Sequence, residues 1–326
     1  MPKVSPRSSR SAKRASRDAD AVARPRLRLI VNPVASGVRE RSVRAALHAL
    51  EVRCDVDVIE TDRHGHAIEL AAEAVERGYD AVGSMGGDGT ANEVLNGVRG
   101  ALPIGVLPAG GTSVLPRALG LPRNIAAAAA QIADALVVGR ERRINLGEVN
   151  GRRFAFASGV GADAQAVRLV DRAGRPRGRR PGDAYFAAQI MRTLLRGEFS
   201  GPLLEVSMDG EVVAHGGSVF AANVHPWSYV GPIALKLAPR ATFEGGLDVV
   251  VPRDMLRRHL PRYARQLLFT GSQAYRTDRL LVYLHDIEEV RVTCSRPMPL
   301  HADGDDLGDV EEAVFGVARN AARVLV

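Results

Sequence analysis

The chain has 326 residues, a net charge of +7, 46% hydrophobic residues and only two cysteines. This length suits one large or two ordinary domains, and two cysteines are too few for a disulfide framework or a cysteine-based metal site. No apolar run reaches the 18 or so residues of a membrane span, and no secretory signal pattern is visible, so we expect a cytoplasmic protein.

The excess positive charge lies at the N-terminus. The first 28 residues contain nine Lys and Arg against two Asp. The remainder of the chain is therefore formally neutral, which argues against general nucleic-acid binding. Residues 1–26 are rich in Ser, Arg and Ala and lack apolar periodicity, which predicts a disordered tail. Such a tail can bind anionic lipid head groups, at about 1 kcal/mol per basic residue, but a solubilising tail or a misassigned start codon explains it equally well.

Strand and helix patterns alternate between residues 27 and 143, which predicts a parallel sheet covered by helices. Strands are predicted at 27–31, 52–60, 81–85 and 102–107. Helices are predicted up to residue 50 and at 66–77, 94–98 and 125–136. Ligands of such sheets bind at the carboxyl ends of the strands. Four segments of small or polar residues follow the predicted strands at that edge: residues 32–37, Thr61, residues 86–90 and residues 108–112.

The segment Gly86-Gly87-Asp88-Gly89-Thr90 has three glycines around one aspartate, between a buried strand and a helix. Glycines let phosphate oxygens approach backbone N–H groups, and a helix N-terminus adds partial positive charge. The Asp88 carboxylate can hold Mg²⁺ or accept a proton. The alternative is an ordinary tight turn with a capping box formed by Thr90 and Glu93. We favour phosphate binding, because a turn does not need three glycines.

Short strands and turn dipeptides replace the alternation from about residue 144. Dipeptides such as Asn150-Gly151 and Asp209-Gly210 predict hairpins. This half is therefore predicted to be mostly antiparallel, a sandwich or barrel, with helices at 162–170, 185–195 and 255–268. The basic segment at 171–183 contains glycine and proline and is predicted to be either a mobile functional loop or a solvated one.

The sequence GGDGTANEVLNGV at residues 86–98 resembles the nucleotide loop of the diacylglycerol kinase and sphingosine kinase catalytic superfamily. Segments at 32–37, 107–119, 158–164, 241–248 and 300–308 are also similar to that family, so the resemblance covers roughly residues 27–326. It implies a Rossmann-like α/β nucleotide-binding domain at 27–143, of the NAD kinase and diacylglycerol kinase type. A β-sandwich-like lipid domain is implied at 144–326, with a cleft between the two.

The chain departs from the family's patterns at six positions, one of which is Pro116, where a small residue usually precedes Arg117. Ser113 stands where Asn is usual, and Val114 and Asn145 stand where many members have Asp. Gly245 replaces an Asp that, with backbone carbonyls, holds a structural Mg²⁺ in some members. Asp305 takes the place of the Glu in the family's VDGE element.

The resemblance implies an ATP-dependent lipid kinase that transfers the γ-phosphate to a hydroxyl of diacylglycerol, a sphingoid base or a related lipid. ATP and Mg²⁺ are the implied cofactors, with Asp88 and Asp305 as metal ligands and Asp88, Asp303 or Asp305 as the base. The expected partner is lipid at the inner membrane surface, without specific nucleic acid, and a homodimer is left open. The implied nucleotide-binding residues are Asn32, Ser36, Gly37, Thr61, Gly86, Gly87, Gly89, Thr90, Asn92, Glu93, Gly110 and Thr112.

Two alternative functions remain at this point. An NAD kinase-like enzyme predicts a second substrate loop rich in Gly, Ser and Thr and a separate Asn-Glu motif in the β-rich half, and the sequence contains neither. A catalytically weak nucleotide-binding regulator is compatible with the substitutions at Ser113, Val114, Asn145 and Gly245. The presence of Asp88, Glu93 and Asp303 argues against it.

Overall fold

The computed structural model describes residues 23–172, 183–230, 233–269 and 279–326. Most of the predicted tail, up to residue 22, and residues 173–182 of the basic segment lie outside these ranges. The N-terminal half contains β1 (Arg26–Val31), α1 (Glu40–Glu51), β2 (Asp55–Glu60), α2 (His66–Glu76), β3 (Ala81–Gly86), α3 (Asp88–Val98), β4 (Pro103–Pro108), α4 (Val114–Ala118) and α5 (Ile125–Val138).

Strands β2, β1, β3 and β4 lie side by side in that order, and each neighbouring pair is parallel. All six residues of β3 are buried, because helices cover the sheet. The predicted α/β domain is confirmed. The carboxyl ends of its strands share one edge of the sheet.

Two element boundaries differ from the prediction. α3 begins at Asp88 rather than at residue 94, and Gly87 precedes it in an extended conformation. Thr90 therefore lies inside the helix, so the capping-box interpretation is wrong. β2 begins three residues later than predicted, because α1 continues to Glu51 and the backbone N–H of Cys54 closes a turn onto the carbonyl of Leu50.

The C-terminal half contains β5 (Glu141–Val149), β6 (Arg152–Phe154), β7 (Ala157–Val160), α6 (Ala162–Arg172), α7 (Asp183–Arg196), β8 (Leu204–Met208), β9 (Glu211–Gly216), β10 (Val219–Ala222), β11 (Ser228–Val230), β12 (Ile233–Leu235), β13 (Leu247–Pro252), α8 (Leu260–Phe269), β14 (Leu281–Ile287), β15 (Glu289–Ala302) and β16 (Asp305–Leu325). Strands β14, β13, β10, β7, β15 and β16 are neighbours in that order, with antiparallel pairing throughout. The predicted β-sandwich-like half is confirmed, although α8 begins five residues later than expected.

Three hairpins of this half turn on two residues each. Asn150-Gly151 joins β5 to β6, Asp209-Gly210 joins β8 to β9, and Asp303-Gly304 joins β15 to β16. Both residues of every pair have positive φ, between 47° and 83°. This is the type I′ geometry, which favours Asn or Asp followed by Gly. The hairpin at Asn150-Gly151 is therefore confirmed.

The last strand, β16, connects the two halves. It pairs with β15 and β5 in the C-terminal half. Near its end, Arg323 and Val324 pair in parallel with Pro103 and Ile104 of β4. Both halves consequently share one sheet, which fixes the hairpin at residues 303–304 relative to the loops of the α/β half. Within the described ranges, no helix is long and apolar enough to cross a bilayer.

Candidate active site

The loops that follow β1, β3 and β4 contact one another through their main chains. The backbone N–H of Gly37 donates to the carbonyl of Ala109 at 2.9 Å, and a Cβ on Gly37 would lie 2.7 Å from that oxygen. A Cβ on Gly110 would lie 2.7 Å from the Cα of Gly87. Side chains at these glycines would therefore separate the loops. The edge of the sheet therefore presents closely packed backbone next to the N-terminus of α3, where N–H groups can bind an anion.

Polar side chains reinforce the same edge. Asn32 Nδ2 donates to the hydroxyl of Thr90 at 3.0 Å, and its Oδ1 accepts from the N–H of Val34 at 3.2 Å. A Cβ on Gly86 would lie 2.5 Å from Thr90 Oγ1, so the threonine packs directly over that glycine. The N–H of Thr61 donates to the last carbonyl of β1, one residue before Asn32. These contacts bring the segments after β1, β2 and β3 together.

The fourth loop, at 108–112 after β4, contacts both the first loop, at 32–37 after β1, and the third loop, at 86–90 after β3. A Cβ on Gly111 would lie 3.7 Å from Ser36 Oγ, and Thr112 follows in the same loop. Ser113 adopts a left-handed conformation and its hydroxyl donates to the carbonyl of Gly110 at 3.2 Å. The short helix α4 then begins, with its N-terminus at the loop cluster.

Asp88 orients this fourth loop. Its two carboxylate oxygens accept from the backbone N–H groups of Val114 and Leu115, each at 3.0 Å. The carboxylate therefore caps the first turn of α4. Val114 contributes its main chain here, so the contact does not depend on the aspartate that many family members carry at this position.

The polar residues of α3 after the glycine turn make structural contacts. Glu93 accepts from the N–H groups of Gly65 and Ala67, at 3.0 and 3.1 Å, and so caps the N-terminus of α2. Asn92 is buried and donates to the carbonyl of Arg153 at 2.9 Å and to Asp303 Oδ2 at 2.8 Å. The two side chains thus tie α2 and the C-terminal half to α3.

Asp303 is enclosed by hydrogen-bond donors. Its Oδ1 accepts from the N–H groups of Phe156 and Ala157, and its Oδ2 accepts from the N–H of Ala155 and the amide of Asn92. Burial raises the pKa of the Asp303 carboxyl to about 6, while the four hydrogen bonds act in the opposite direction. The residue joins the hairpin of β15 and β16, the start of β7 and helix α3.

Asp305 occupies a different position on the same hairpin. It is buried, and its Oδ1 would lie 3.5 Å from a Cβ on Gly89, so the carboxylate faces the first turn of α3. Arg152 Nη2 lies 3.5 Å from Asp305 Oδ2 and donates to Asn92 Oδ1 at 2.7 Å. The C-terminal half therefore brings one carboxylate to the glycine-rich turn and pairs that carboxylate with a guanidinium. Sequence reasoning missed Arg152, and its only sequence signal was its place directly after the predicted hairpin Asn150-Gly151.

The carboxylates of Asp88 and Asp305 suit a Mg²⁺ ion whose other ligands are phosphate oxygens of the substrate. Among the residues that the structure describes, no three His, Cys, Asp or Glu side chains cluster as a metal cage. Asp88 precedes Gly89 in the chain and Asp305 faces it across the turn. Mg²⁺ is commonly bound by one or two carboxylates together with substrate phosphates, and these two residues fit that arrangement.

The structural Mg²⁺ known from some family members does not fit the segment at 241–248. The carbonyl of Glu244 accepts from Arg319 Nη1 at 3.1 Å, and the carbonyl of Gly245 accepts from Asn145 Nδ2 at 3.0 Å. A Cβ on Gly245 would lie 3.3 Å from the Asp286 carboxylate, which accepts from the N–H of Gly246. A guanidinium and an amide thus engage these backbone carbonyls, and position 245 supplies no carboxylate because it is a glycine.

Both halves of the chain match known protein families. Residues 26–149 match the diacylglycerol kinase catalytic domain family, and residues 157–326 match the YegS C-terminal NAD kinase beta sandwich-like domain family. A diacylglycerol kinase of Bacillus subtilis is 28% identical over 250 residues, which cover 74% of this chain and 76% of that protein. One of Staphylococcus saprophyticus is 33% identical over 136 residues, which cover 40% of this chain and 43% of that protein.

Solved structures agree on the fold. A protein of Bacillus anthracis described as a candidate diacylglycerol kinase superposes with a TM-score of 0.72 at 19% identity, over 93% of this chain and 98% of that one. A second structure from the same organism, described as a diacylglycerol kinase, gives a TM-score of 0.67 at 18% identity, over 93% and 97% of the two chains. At these identities the likeness shows the fold alone.

Proposed function

The chain belongs to the family in which a diacylglycerol kinase catalytic domain precedes a YegS C-terminal NAD kinase beta sandwich-like domain, and from that premise we propose that it is an ATP-dependent lipid kinase. The acceptor is the hydroxyl of diacylglycerol, a sphingoid base or a related lipid. One observation carries the proposal: Asp305, from the C-terminal half, faces the glycine-rich turn of the α/β half and lies 3.5 Å from Arg152.

The loop cluster binds the phosphates of ATP in this proposal. The glycines at 86, 87 and 89 and at 110 and 111 keep the main chain accessible to phosphate oxygens, and α3 directs its N-terminus at the same place. Asn32 and Thr90 hold the first and third loops together. Asp88 holds the fourth loop in register with the third. The cluster therefore needs little rearrangement when the nucleotide binds.

Asp305 is the proposed general base. It accepts the proton of the lipid hydroxyl while the hydroxyl oxygen bonds to the γ-phosphorus and the bond from phosphorus to the β,γ-bridging oxygen breaks, which leaves ADP. A carboxylate of ordinary basicity suffices, because the transition state of phosphoryl transfer is loose. Asp303 is not the proposed base, because four donors already hold its carboxylate. Asp88 would hold Mg²⁺, which supplies charge neutralisation on the phosphates, and Asp305 would contact the ion through water, so that its carboxylate remains free to accept the proton.

The lipid acceptor implies contact with a membrane surface. We propose that the protein visits the inner membrane face peripherally and that the basic tail contributes by attraction to anionic head groups. The excess charge of the whole chain lies in its first 28 residues. Deletion of residues 1–22 should therefore weaken binding to anionic vesicles and leave transfer to micellar substrate unchanged.

The test is transfer of labelled γ-phosphate from Mg-ATP to diacylglycerol, sphingosine and NAD in mixed micelles. Wild-type protein should label a lipid, and Asp305→Asn should lower the rate about 10²- to 10⁴-fold. Asp309→Asn is the matched control, because Asp309 lies on the same strand but is half-exposed and pairs with Arg168. Labelling of NAD alone would replace the proposal with an NAD kinase-like activity, and ATP binding without any transfer would indicate a regulator.

A further inference from the structure

We propose that Arg152 is a catalytic residue, the guanidinium that stabilises negative charge on the transferring phosphoryl group. The inference rests on the proposed function and adds a residue to it. Phosphoryl transfer depends on positive groups around the γ-phosphate oxygens. None of the loop residues at 32–37, 61, 86–90 and 108–112 is Lys or Arg. The loops that would bind the phosphates therefore provide backbone donors without a basic side chain of their own.

The position of Arg152 meets this need. The carboxylate of Asp305 has one oxygen toward Gly89 and the other 3.5 Å from Arg152 Nη2. The guanidinium is thus separated from the first turn of α3 by a single carboxylate. Its side chain keeps 22% of its surface exposed, so the guanidinium is not sealed inside the protein. A phosphate oxygen bound at the turn would lie within the field of this charge.

The side chain is also held in place. Asn92 Oδ1 accepts from Arg152 Nη2 at 2.7 Å, and Asn92 is itself fixed by its bonds to Arg153 and Asp303. Strand β6 places the arginine directly after the tight turn at Asn150-Gly151. A catalytic group needs such support, because transfer is sensitive to misplacements of about 1 Å.

Two neighbouring arginines contrast with Arg152. Arg168 is engaged by two carboxylates, Asp306 at 2.9 Å and Asp309 at 2.6 Å, away from the glycine turn. Arg153 lies 3.8 Å from Glu148, and its backbone bonds to Asn92 and Asn96. Arg152 differs from both because its partner is the proposed base, which faces the glycine turn and lies 3.5 Å away, beyond direct hydrogen-bond distance.

This loose pairing suggests how the residue acts. Before ATP binds, the guanidinium balances the buried charge of Asp305. When ATP is bound, the planar guanidinium of Arg152 is suited to two oxygens of the γ-phosphate. The carboxylate of Asp305 then faces the lipid hydroxyl. Arg152 takes no proton and forms no covalent bond, so its whole contribution is electrostatic.

The experiment measures kcat and the KM for ATP for wild type, Arg152→Ala and Arg152→Lys, with the acceptor that wild type uses in the panel of lipids, NAD and water. Arg152→Ala should lower kcat about 10²- to 10³-fold, as loss of one charge-stabilising donor does. The KM for ATP should change only a few-fold. The kcat of Arg152→Lys should lie between those of wild type and Arg152→Ala. Arg44→Ala is the control: Arg44 pairs with Glu40 on the outer face of α1 and is mostly exposed, so its kcat should equal that of wild type.

Chemical rescue separates catalysis from a structural role. Guanidinium ion at tens of millimolar should restore part of the kcat of Arg152→Ala, and NaCl of the same ionic strength should not. A kcat for Arg152→Ala within about three-fold of wild type would overturn the inference and leave the kinase assignment standing. A loss of kcat without rescue, accompanied by a lower melting temperature, would make Arg152 a structural residue. Transfer by wild type only to NAD or water would refute the lipid assignment, and the kcat of Arg152→Ala in that reaction would then test the role of Arg152. Absence of transfer to any acceptor would refute both the kinase proposal and the catalytic role of Arg152.

Discussion

Gly110→Ala should disrupt the phosphate-binding loops although it adds only one methyl group. The new Cβ would lie 2.7 Å from the Cα of Gly87, and this is a contact between two backbones that cannot be relieved by rotating a side chain. Ordinary carbon contacts lie near 3.5–4.0 Å, so the third and fourth loops must separate by roughly 1 Å. Overpacking of this kind costs about 1–3 kcal/mol of stability, and a displacement of about 1 Å at a reacting site costs roughly 10²-fold in rate.

The neighbouring glycine provides the control. A Cβ on Gly111 would lie 3.7 Å from Ser36 Oγ, which is ordinary van der Waals contact. Neither glycine has a positive φ, so backbone strain affects neither variant. Urea unfolding should show a clear loss of stability for Gly110→Ala and near wild-type stability for Gly111→Ala, and calorimetric ATP binding and the transfer rate should fall for Gly110→Ala. Equal behaviour of the two variants would refute the reasoning that the loops pack main chain against main chain.

Three further predictions follow from individual contacts. The Asp303 pKa of about 6 lies above the value of about 3.9 in an unfolded chain. Its contribution to stability, about 3 kcal/mol, should therefore be fully present below pH 3.9 and lost as the pH rises through 6; a ¹³C NMR titration of this carboxyl with a midpoint below 4 would contradict this. Glu93→Ala should cost about 1 kcal/mol in urea unfolding through loss of the α2 cap, whereas an unchanged midpoint would argue against capping. Because Arg319 engages the carbonyl of Glu244, the melting temperature of the nucleotide-free protein should be the same in Mg²⁺ and in EDTA. The melting temperature should fall in Arg319→Met. A higher melting temperature in Mg²⁺ than in EDTA would show that the segment at 241–248 binds the metal after all.

Helix α3 is where the contacts of the two halves meet. Asp88 caps α4, Glu93 caps α2, and Asn92 bonds to Asp303. Asp88, Asn92 and Asn96 are spaced by four residues, so they lie along one face of the helix. Asn96 Nδ2 donates to the carbonyl of Arg153 at 3.0 Å, which extends the contact to β6. The polar residues after the glycine turn therefore position the site as well as surround it.

Local patterns in the sequence were enough to predict most of the helices and strands and the edge of the sheet that carries the site. Alternating strands and helices predicted the parallel sheet, and the Asn150-Gly151 dipeptide predicted its hairpin, because backbone conformation responds to residues a few positions away. The glycine-rich turn was placed correctly between a buried strand and a helix. The helix after this turn begins at Asp88, because Gly87 ends the extended segment there. The prediction missed this start, because Thr90 and Glu93 match the pattern of a capping box and suggested a later one.

The contacts between distant side chains could not be predicted from local patterns, because they depend on how the two halves fold together. Asn92 and Asp303 are 211 residues apart in the chain and bond directly, and Arg152 reaches Asp305 only because β6 and the hairpin of β15 and β16 dock against α3. Nothing in the local pattern distinguishes Asp303, which binds backbone, from Asp305, which faces the glycine turn. The two residues flank Gly304 in a type I′ turn, and the direction of each side chain follows from the strand pairing and from the docking of the two halves. Those depend on the whole sheet, including β16, whose last residues pair with β4.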